Sequence, residues 1–310
     1  LYALVQHDLK RLLAYHSVEN VGIILLGVGL GICAQSAGLA TVASLAMAAG
    51  LFHVINHAVF KALLFLCAGS VHLGTHTHDL EEMGALARRM PSTARAFLVG
   101  AIAISALPPL NGFASEWLIL QGFIGSASAP QGLLRATSPL LAAGLALTGA
   151  LAATCFVKAY GVAFLALPRS PHAEHAAEVP DSMRLAQNAL ALACIGLGLG
   201  SPWVVAAISR AAAGVDPRFL ALGASRVLGG SGLATVNPLL LAAAMTLAIG
   251  LGLWVLRRKA RPARTALTWA CGLGTIDGRS QYSASAFAKP IRRIFAGLYQ
   301  AEREFEVVEG

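Results

Sequence analysis

The chain contains six apolar segments that are each long enough to cross a lipid bilayer, and this feature restricts its fold most. They cover residues 12–34, 39–72, 93–123, 137–167, 185–209 and 237–256. A membrane-spanning helix needs about 20 mostly apolar residues. Only 12% of the 310 residues are charged, whereas a soluble domain carries about 25%, so the residues for a water-facing shell are lacking. The sequence therefore predicts an all-α, polytopic bundle of transmembrane helices with about six spans.

Basic residues indicate how this predicted bundle is oriented. Six crossings place both ends of the chain on one side, and Lys and Arg concentrate in the loops of that side. The opposite side has only Arg135, Arg210, Arg218 and Arg226. Because such an excess marks cytoplasmic loops, we predict a multi-pass protein of the inner (cytoplasmic) membrane with both ends in the cytoplasm. The net charge of +8 fits anionic lipid, and the scatter of the basic residues argues against a nucleic-acid partner.

The polar residues near the C-terminus divide the chain into two parts. We predict a transmembrane domain over residues 1–256 and a cytoplasmic tail over residues 257–310. Four apolar residues of the tail recur at i, i+3, i+4 and i+7: Ile291, Ile294, Phe295 and Leu298. This spacing is typical of an amphipathic helix. Such a helix either lies along the membrane surface or packs on a partner subunit, and the sequence leaves both alternatives open.

Three ionisable residues interrupt the second apolar segment, in the stretch HVINHAVFK. His53, His57 and Lys61 are spaced four residues apart, so each lies about 40° from the previous one around a helix and all three share one face. Ionisable residues inside a membrane are costly and mark proton or ion pathways, and histidine titrates near neutral pH. We therefore predict a proton pathway on this face. The alternative is that the histidines bond neighbouring helices and Lys61 extends to the membrane interface.

The same residues do not predict a metal site or another cofactor. His53 and His57 have the spacing of a metal-binding pair, but they lack the Glu of an HExxH motif, and no carboxylate shares their face. The five cysteines are far apart and form no CxxC pair, which argues against an iron–sulfur subunit. We therefore expect no metal and no cofactor in this chain.

A helix break is predicted in the third apolar segment, within ISALPPLNGFASEWLIL. Pro108 and Pro109 remove two backbone donors and Gly112 adds conformational freedom, so the helix should break between Leu107 and Gly112. Freed backbone at membrane depth is tolerated where it faces protein or a wet cavity. Glu116 follows at the start of the second half-helix, and ionisable residues at broken helices mark ion sites in transporters. The alternative is a proline kink with Glu116 in a loop.

Two further ionisable residues are candidates for the same pathway. Glu19, in HSVENVG, begins an apolar run, and Lys158, in CFVKAYG, lies in the middle of the fourth apolar segment. A position inside the membrane gives both residues the same functional interpretation.

Several motifs of the chain resemble one known family. Four stretches are similar to the second half of its members: HDLKRLLAYHSVENVGIILLGVG, FHVINHAVFKALLFLCAGSV, MGALARRMP and SALPPLNGFASEWL. The family comprises antiporter-like, proton-translocating membrane subunits of respiratory complex I, of multi-subunit Na+/H+ antiporters and of group 4 [NiFe] hydrogenases. The stretch CFVKAYGVAFLALPRS and the tail resemble most the branch formed by the large membrane subunits of hydrogenase-4 and of formate hydrogenlyase.

The resemblance implies two inverted five-helix repeats, each with a broken helix and a half-channel, joined by buried polar residues at mid-membrane. The chain would then hold the second repeat without its first helix, as a piece of a longer protein whose first repeat lies upstream. His53, His57 and Lys61 match the buried line of that repeat. Glu116 matches the ionisable residue that follows its helix break.

The resemblance also implies a function. We expect a proton-translocating membrane subunit of a membrane-bound [NiFe] hydrogenase, of the hydrogenase-4 or formate hydrogenlyase type, or of a complex I-like assembly. Such a subunit performs no redox chemistry and couples electron transfer in partner subunits to proton movement. The expected partners are other membrane subunits, peripheral hydrogenase and electron-transfer subunits, protons and the lipid bilayer. Two alternatives stay open: a Na+/H+ antiporter subunit in which Glu116 binds sodium, and a structural subunit whose charges pair to hold helices together.

Overall fold

The described part of the chain is a bundle of α-helices. A computed structural model describes residues 1–129, 132–224, 237–259, 269, 271–272 and 276–299. The longer helices in these ranges are α1 (Leu9–Ser36), α2 (Ala40–Thr75), α3 (Pro91–Ile104), α4 (Asn111–Gly125), α5 (Leu133–Phe164), α6 (Asp181–Leu199), α7 (Ser201–Val215), α8 (Pro238–Lys259) and α9 (Ala284–Ile294). Short helical turns cover Tyr2–Val5, Leu86–Arg89, Ser126–Ser128, Pro171–Glu174, Gly278–Ser280 and Ala296–Tyr299.

These helices account for the predicted spans. By length and composition, α1, α2, α5, α6 and α8 are long and apolar enough to cross a membrane. The third apolar segment is divided between α3 and α4, which are separated by residues 105–110. The prediction of a polytopic helix bundle with about six spans and a broken helix is therefore confirmed.

The fifth predicted span, residues 185–209, is divided between α6 and α7 at Gly200. Pro202 explains the interruption, because a proline inside a helix clashes with the carbonyl group four residues earlier. The side chain of Gln187 in α6 donates a hydrogen bond to Ser70 in the C-terminal half of α2. The turn after α7 contacts the other end of α2, where the Leu220 amide donates to Ser44 Oγ. The two helices therefore run antiparallel to α2 as one bent crossing.

Helix α2 is the centre of the bundle, since α1, α3, α4, α6 and α7 all pack against it. Its closest neighbour is α1, and the two helices cross at Gly27 and Gly50. A Cβ added to Gly27 would lie 2.8 Å from Gly50 Cα, so the helices touch backbone to backbone, as small residues permit in membrane proteins. This contact brings the C-terminal half of α1 beside the N-terminal half of α2.

Both ends of the described chain lie at the same end of the bundle. The Tyr299 hydroxyl donates a 2.6 Å hydrogen bond to the Leu1 carbonyl, and Glu81, in the loop after α2, accepts hydrogen bonds from the first amides of α9. The predicted tail helix spans Ala284–Ile294 and a further turn spans Ala296–Tyr299. Ile294 and Leu298 are 72% and 63% exposed, so their apolar side remains free for lipid or for a partner subunit.

The boundary between the predicted transmembrane domain and the tail is crossed by α8. This helix extends to Lys259, three residues beyond the predicted end at residue 256. No residue in its apolar window is buried inside the described structure. The division into residues 1–256 and 257–310 stays a prediction.

Candidate functional site

Three helices meet at His53, which is fully buried in the middle of α2. Its Nδ1 lies 2.8 Å from Ser115 Oγ on α4. Its Nε2 lies 3.1 Å from Asn20 Oδ1 on α1. Asn20 and Ser115 are themselves fully buried, so one imidazole ring joins three helices through polar groups that are withdrawn from water.

A second polar link connects α2 to the first turn of α4. The Asn56 amide donates to the Asn111 carbonyl at 2.8 Å and to Ser115 Oγ at 2.9 Å, and the Asn111 side-chain amide donates back to Asn56 Oδ1 at 3.2 Å. Asn56 thus binds the backbone of the first residue of α4, directly after the helix break. The break is held against α2 by these contacts.

The helix break lies slightly earlier than the sequence predicts. Helix α3 ends at Ile104 and α4 begins at Asn111, so Pro108 and Pro109 lie inside the break and Gly112 lies in the first turn of α4. A Cβ at Gly112 would lie 1.9 Å from the Ala103 carbonyl oxygen. The glycine is therefore needed because α4 packs on the end of α3, and the predicted role in loosening the backbone is wrong.

Glu116 follows Ser115 on α4 and is 8% exposed. It lines a cavity of about 270 Å³ between α4 and α5, which we call the α4–α5 cavity. Ser105 and Ala106 of the break, Trp117, and Gly149 of α5 also line this cavity. Glu116 therefore lies in a helix at the break, and the alternative that placed it in a loop is wrong.

Lys61 of α2 and Glu19 of α1 both lie along the N-terminal half of α1. Lys61 is 6% exposed, and its ammonium group donates a hydrogen bond to the Leu13 carbonyl. Glu19 bonds to the ring of His16 one turn earlier. His16 and Glu19 line a groove of about 600 Å³ between α1 and α5, which we call the α1–α5 groove.

His57 and Lys158 lie away from the Asn20–His53–Ser115 contacts. His57 is half-buried, stacks edge-on against Phe60, and its Nε2 is buried without a hydrogen-bond partner in the described structure. Lys158 is 1% exposed and donates to the Leu4 and Gln6 carbonyls, each at 2.7 Å. Lys158 therefore contacts the N-terminal turn, at the end of the bundle where both chain ends lie.

Lys61, Lys158 and Glu116 have no ion-pair partners among the described residues, whereas His16 and Glu19 pair with each other. Four ion pairs form in the described ranges, and none includes Lys61, Lys158 or Glu116. The two lysines have backbone carbonyls as acceptors instead. The two lysines and Glu116 therefore form no ion pairs that hold helices together in the described ranges, although each lysine joins its helix to another segment through hydrogen bonds to carbonyls.

Sequence reasoning missed four polar residues of the site: His16, Asn20, Asn56 and Ser115. The missed signal is an uncharged polar residue within an apolar run next to an ionisable one. Asn20 follows Glu19, Ser115 precedes Glu116, and Asn56 lies three residues after His53 on the same helix face. Their partners lie on other helices, and the spacing along one helix does not identify them.

Comparison with known proteins supports this fold. Residues 1–138 match the family model described as NADH:quinone oxidoreductase/Mrp antiporter, TM. The matched part of the chain holds every predicted site residue except Lys158. The resemblance that the motifs indicate is therefore confirmed.

Two relatives from Escherichia coli (strain K12) are each more than 40% identical to this chain over the aligned residues. Hydrogenase-4 component B is 42% identical over 313 residues, covering 99% of this chain and 46% of the relative. Formate hydrogenlyase subunit 3 is 46% identical over 211 residues, covering 68% of this chain and 35% of the relative. The chain thus spans less than half the length of each.

A solved structure shares the fold. A chain of the membrane-bound sulfane sulfur reductase, an archaeal respiratory membrane complex, matches 97% of this chain and 46% of its own length with a TM-score of 0.74. The two chains are 22% identical, so this match supports the arrangement of the helices.

Proposed function

We propose that this chain conducts protons as the C-terminal part of an antiporter-like membrane subunit, in a membrane-bound [NiFe] hydrogenase or a complex I-like complex. The proposed pathway contains Glu116, His53, His57, Lys61 and Glu19, and Lys158 continues it toward the end of the bundle where both chain ends lie. Electron transfer takes place in partner subunits and is coupled to protonation of these residues. Moving one proton against ~100 mV costs about 2.3 kcal/mol.

One observation supports this proposal most strongly. A row of buried ionisable and polar side chains crosses α1, α2 and α4 and continues to Lys158 on α5. Lys61, Lys158 and Glu116 have no ion-pair partner in the described ranges. A buried charge that does not stabilise the fold indicates a functional role. Proton transfer is such a role, because it requires ionisable groups inside the membrane that change their protonation state.

Both ends of the row reach open volume. Glu116 lines the α4–α5 cavity, and Glu19 lines the α1–α5 groove together with His16. Between them, Asn111 Oδ1 and His57 Nε2 are buried without a hydrogen-bond partner in the described structure. Buried polar atoms of this kind are usually satisfied by ordered water, which also carries protons between side chains.

The membrane orientation is part of the proposal. The loops at the end of the bundle that holds both chain ends carry most of the basic residues, and such loops face the cytoplasm. The subunit would therefore lie in the inner (cytoplasmic) membrane with both ends of this chain in the cytoplasm. Its partners would be further membrane subunits and peripheral hydrogenase or electron-transfer subunits, as the similarity to hydrogenase-4 component B suggests.

Proton pumping by the full complex in membrane vesicles tests the proposal. Lys61→Ala and Glu116→Gln should each lower the pumping rate per assembled complex by at least about tenfold, since each removes a group that carries a proton. Lys10→Ala and Glu82→Gln are matched controls, because both side chains are exposed, and they should pump as the wild type does. Unchanged pumping by both Lys61→Ala and Glu116→Gln would reject proton conduction along this row.

Transport measurements in the same vesicles distinguish proton conduction from the sodium alternative. Glu116 lines the α4–α5 cavity together with Ser105 and Ala106 of the break, and carboxylate and hydroxyl oxygens suit a hard cation. If transport requires sodium and Glu116→Gln abolishes that requirement, the chain belongs to a Na+/H+ antiporter. Transport at the full rate without sodium supports proton conduction.

A further inference from the structure

The hydrogen bonds of His53 with Asn20 and with Ser115 differ in which partner can donate the proton. The Asn20 side-chain amide donates to the His16 carbonyl at 2.8 Å, which fixes its amide nitrogen there and turns Oδ1 toward His53. A carbonyl oxygen accepts hydrogen bonds and cannot donate them. The 3.1 Å contact between Nε2 and Asn20 Oδ1 therefore requires a proton on Nε2 whether the ring is neutral or charged.

Ser115 is free to act in both directions. Its Oγ lies 2.8 Å from His53 Nδ1, and it also lies 3.1 Å from the Gly112 carbonyl and 3.2 Å from the Asn111 carbonyl. Asn56 donates to the same oxygen at 2.9 Å, which leaves one lone pair and the hydroxyl proton for other partners. A serine hydroxyl rotates to suit its surroundings.

Both protonation states of His53 are satisfied by turning this one hydroxyl. When the ring is neutral, Ser115 donates its proton to the lone pair of Nδ1. When the ring is charged, Nδ1–H donates to Ser115 Oγ, and the hydroxyl turns to the Gly112 or Asn111 carbonyl. No heavy atom of the site has to move, and the ring nitrogens of His53 and the hydroxyl of Ser115 each keep a partner, as buried polar groups require.

We propose that Ser115 passes protons to and from Nδ1 of His53, while Nε2 stays protonated. This inference rests on the proposed proton conduction and adds a residue to it. In uptake, the Oγ–H bond of Ser115 breaks as the Nδ1–H bond forms. Ser115 Oγ takes a replacement proton from a water molecule or a carboxylic acid on the Glu116 side. That donor loses one proton, His53 gains one, and Ser115 ends as a hydroxyl directed at the helix break.

The two carbonyls that receive the turned hydroxyl lie three and four residues before Ser115 on its own helix. They belong to the first two residues of α4, Asn111 and Gly112, and a serine in a helix can bond back to carbonyls at this spacing. The Ser115 hydroxyl therefore has an acceptor within α4 when Nδ1 of His53 is protonated.

Substitution of Ser115 in the full complex tests the inference by proton pumping in vesicles. Ser115→Ala should lower pumping per assembled complex by about tenfold, the value of one hydrogen bond to a charged group. Ser115→Thr keeps the hydroxyl and should pump within about threefold of the wild type. Ser138→Ala is the matched control, because Ser138 is a buried helix serine that donates only to a carbonyl of its own helix, 2.6 Å away, and it should pump normally.

Two outcomes separate this inference from the proposed function. If Ser115→Ala pumps normally while Glu116→Gln does not, protons move along the row but Ser115 has no part in it. If Lys61→Ala and Glu116→Gln also pump normally, proton conduction itself is rejected. Equal losses in Ser115→Ala and Ser115→Thr would likewise overturn the inference, since the hydroxyl would then be irrelevant.

A measurement on the unaltered protein covers the case in which Ser115→Ala does not assemble. The ¹⁵N resonances of His53, assigned by their loss in His53→Gln, report which ring nitrogen is protonated. Across a pH titration of the full complex, Nδ1 should change between protonated and unprotonated forms and Nε2 should stay protonated throughout. A neutral ring with its proton on Nδ1 would overturn the inference.

Discussion

Gly112 is the position at which a single methyl group should disturb the site most. A Cβ there would lie 1.9 Å from the Ala103 carbonyl oxygen, whereas ordinary contact begins at 3.4 Å. In Gly112→Ala the first turn of α4 must therefore move away from the end of α3 by about 1.5 Å. Neither partner has a flexible side chain that could give way, because the clash is with backbone.

The expected loss of stability follows from this clash. Extra atoms forced into a packed interior cost about 1–3 kcal/mol, and a loss of about 2 kcal/mol lowers the melting temperature by roughly 4–8 °C in a chain of moderate size. A displacement of this size would also lengthen the 2.8 Å contact between Ser115 and His53 beyond hydrogen-bond reach. Gly112→Ala should therefore lose stability and proton pumping together.

Thermal unfolding of the purified complex in detergent, followed by pumping in vesicles, measures both effects. Gly144→Ala is the matched control: it adds the same methyl group to α5, where nothing lies within 4 Å of the new Cβ. It should melt at or slightly above the wild-type temperature, because alanine favours a helix more than glycine does. If Gly112→Ala and Gly144→Ala melt alike, the packing of α4 on α3 is not as the structure has it.

Two further predictions concern the end of the bundle that holds both chain ends. Burial alone would raise the pKa of the Glu81 carboxyl, but hydrogen bonds from the Ser285 and Ala284 amides outweigh it, with a smaller contribution from His7, so this pKa lies below its ordinary value. A carboxyl with a lowered pKa stabilises the docked tail at neutral pH and loses that contribution as the pH falls through the lowered value. Limited proteolysis should therefore cut the tail faster near pH 4 than at pH 7, and Glu81→Gln should be cut quickly at both pH values. Equal rates of cleavage of the unaltered protein at all pH values would contradict the docking. Lys158→Met removes the hydrogen-bond donor from two buried carbonyls and should destabilise the complex by about 2 kcal/mol or more. Pumping per assembled complex should also fall. Normal pumping would show that Lys158 only anchors the N-terminal turn.

The sequence alone determined the spans and the types of residue at the site. Apolar length and the spacing of His53, His57 and Lys61 are properties of one helix, so local rules were enough to predict a helix bundle and a polar face on α2. The break was predictable for the same reason, because Pro108 and Pro109 act on their own backbone.

Only the tertiary structure decided which of these residues meet. His53 contacts Asn20 and Ser115, which are separated from it by 33 and 62 positions along the chain. Lys158 binds a carbonyl that is 154 positions away. Helix packing therefore decides these partners. The same packing explains why Gly112 is required, since the carbonyl it approaches lies on another helix. A periodic pattern fixes the face of a helix, but the neighbour that covers that face depends on how all the helices pack together.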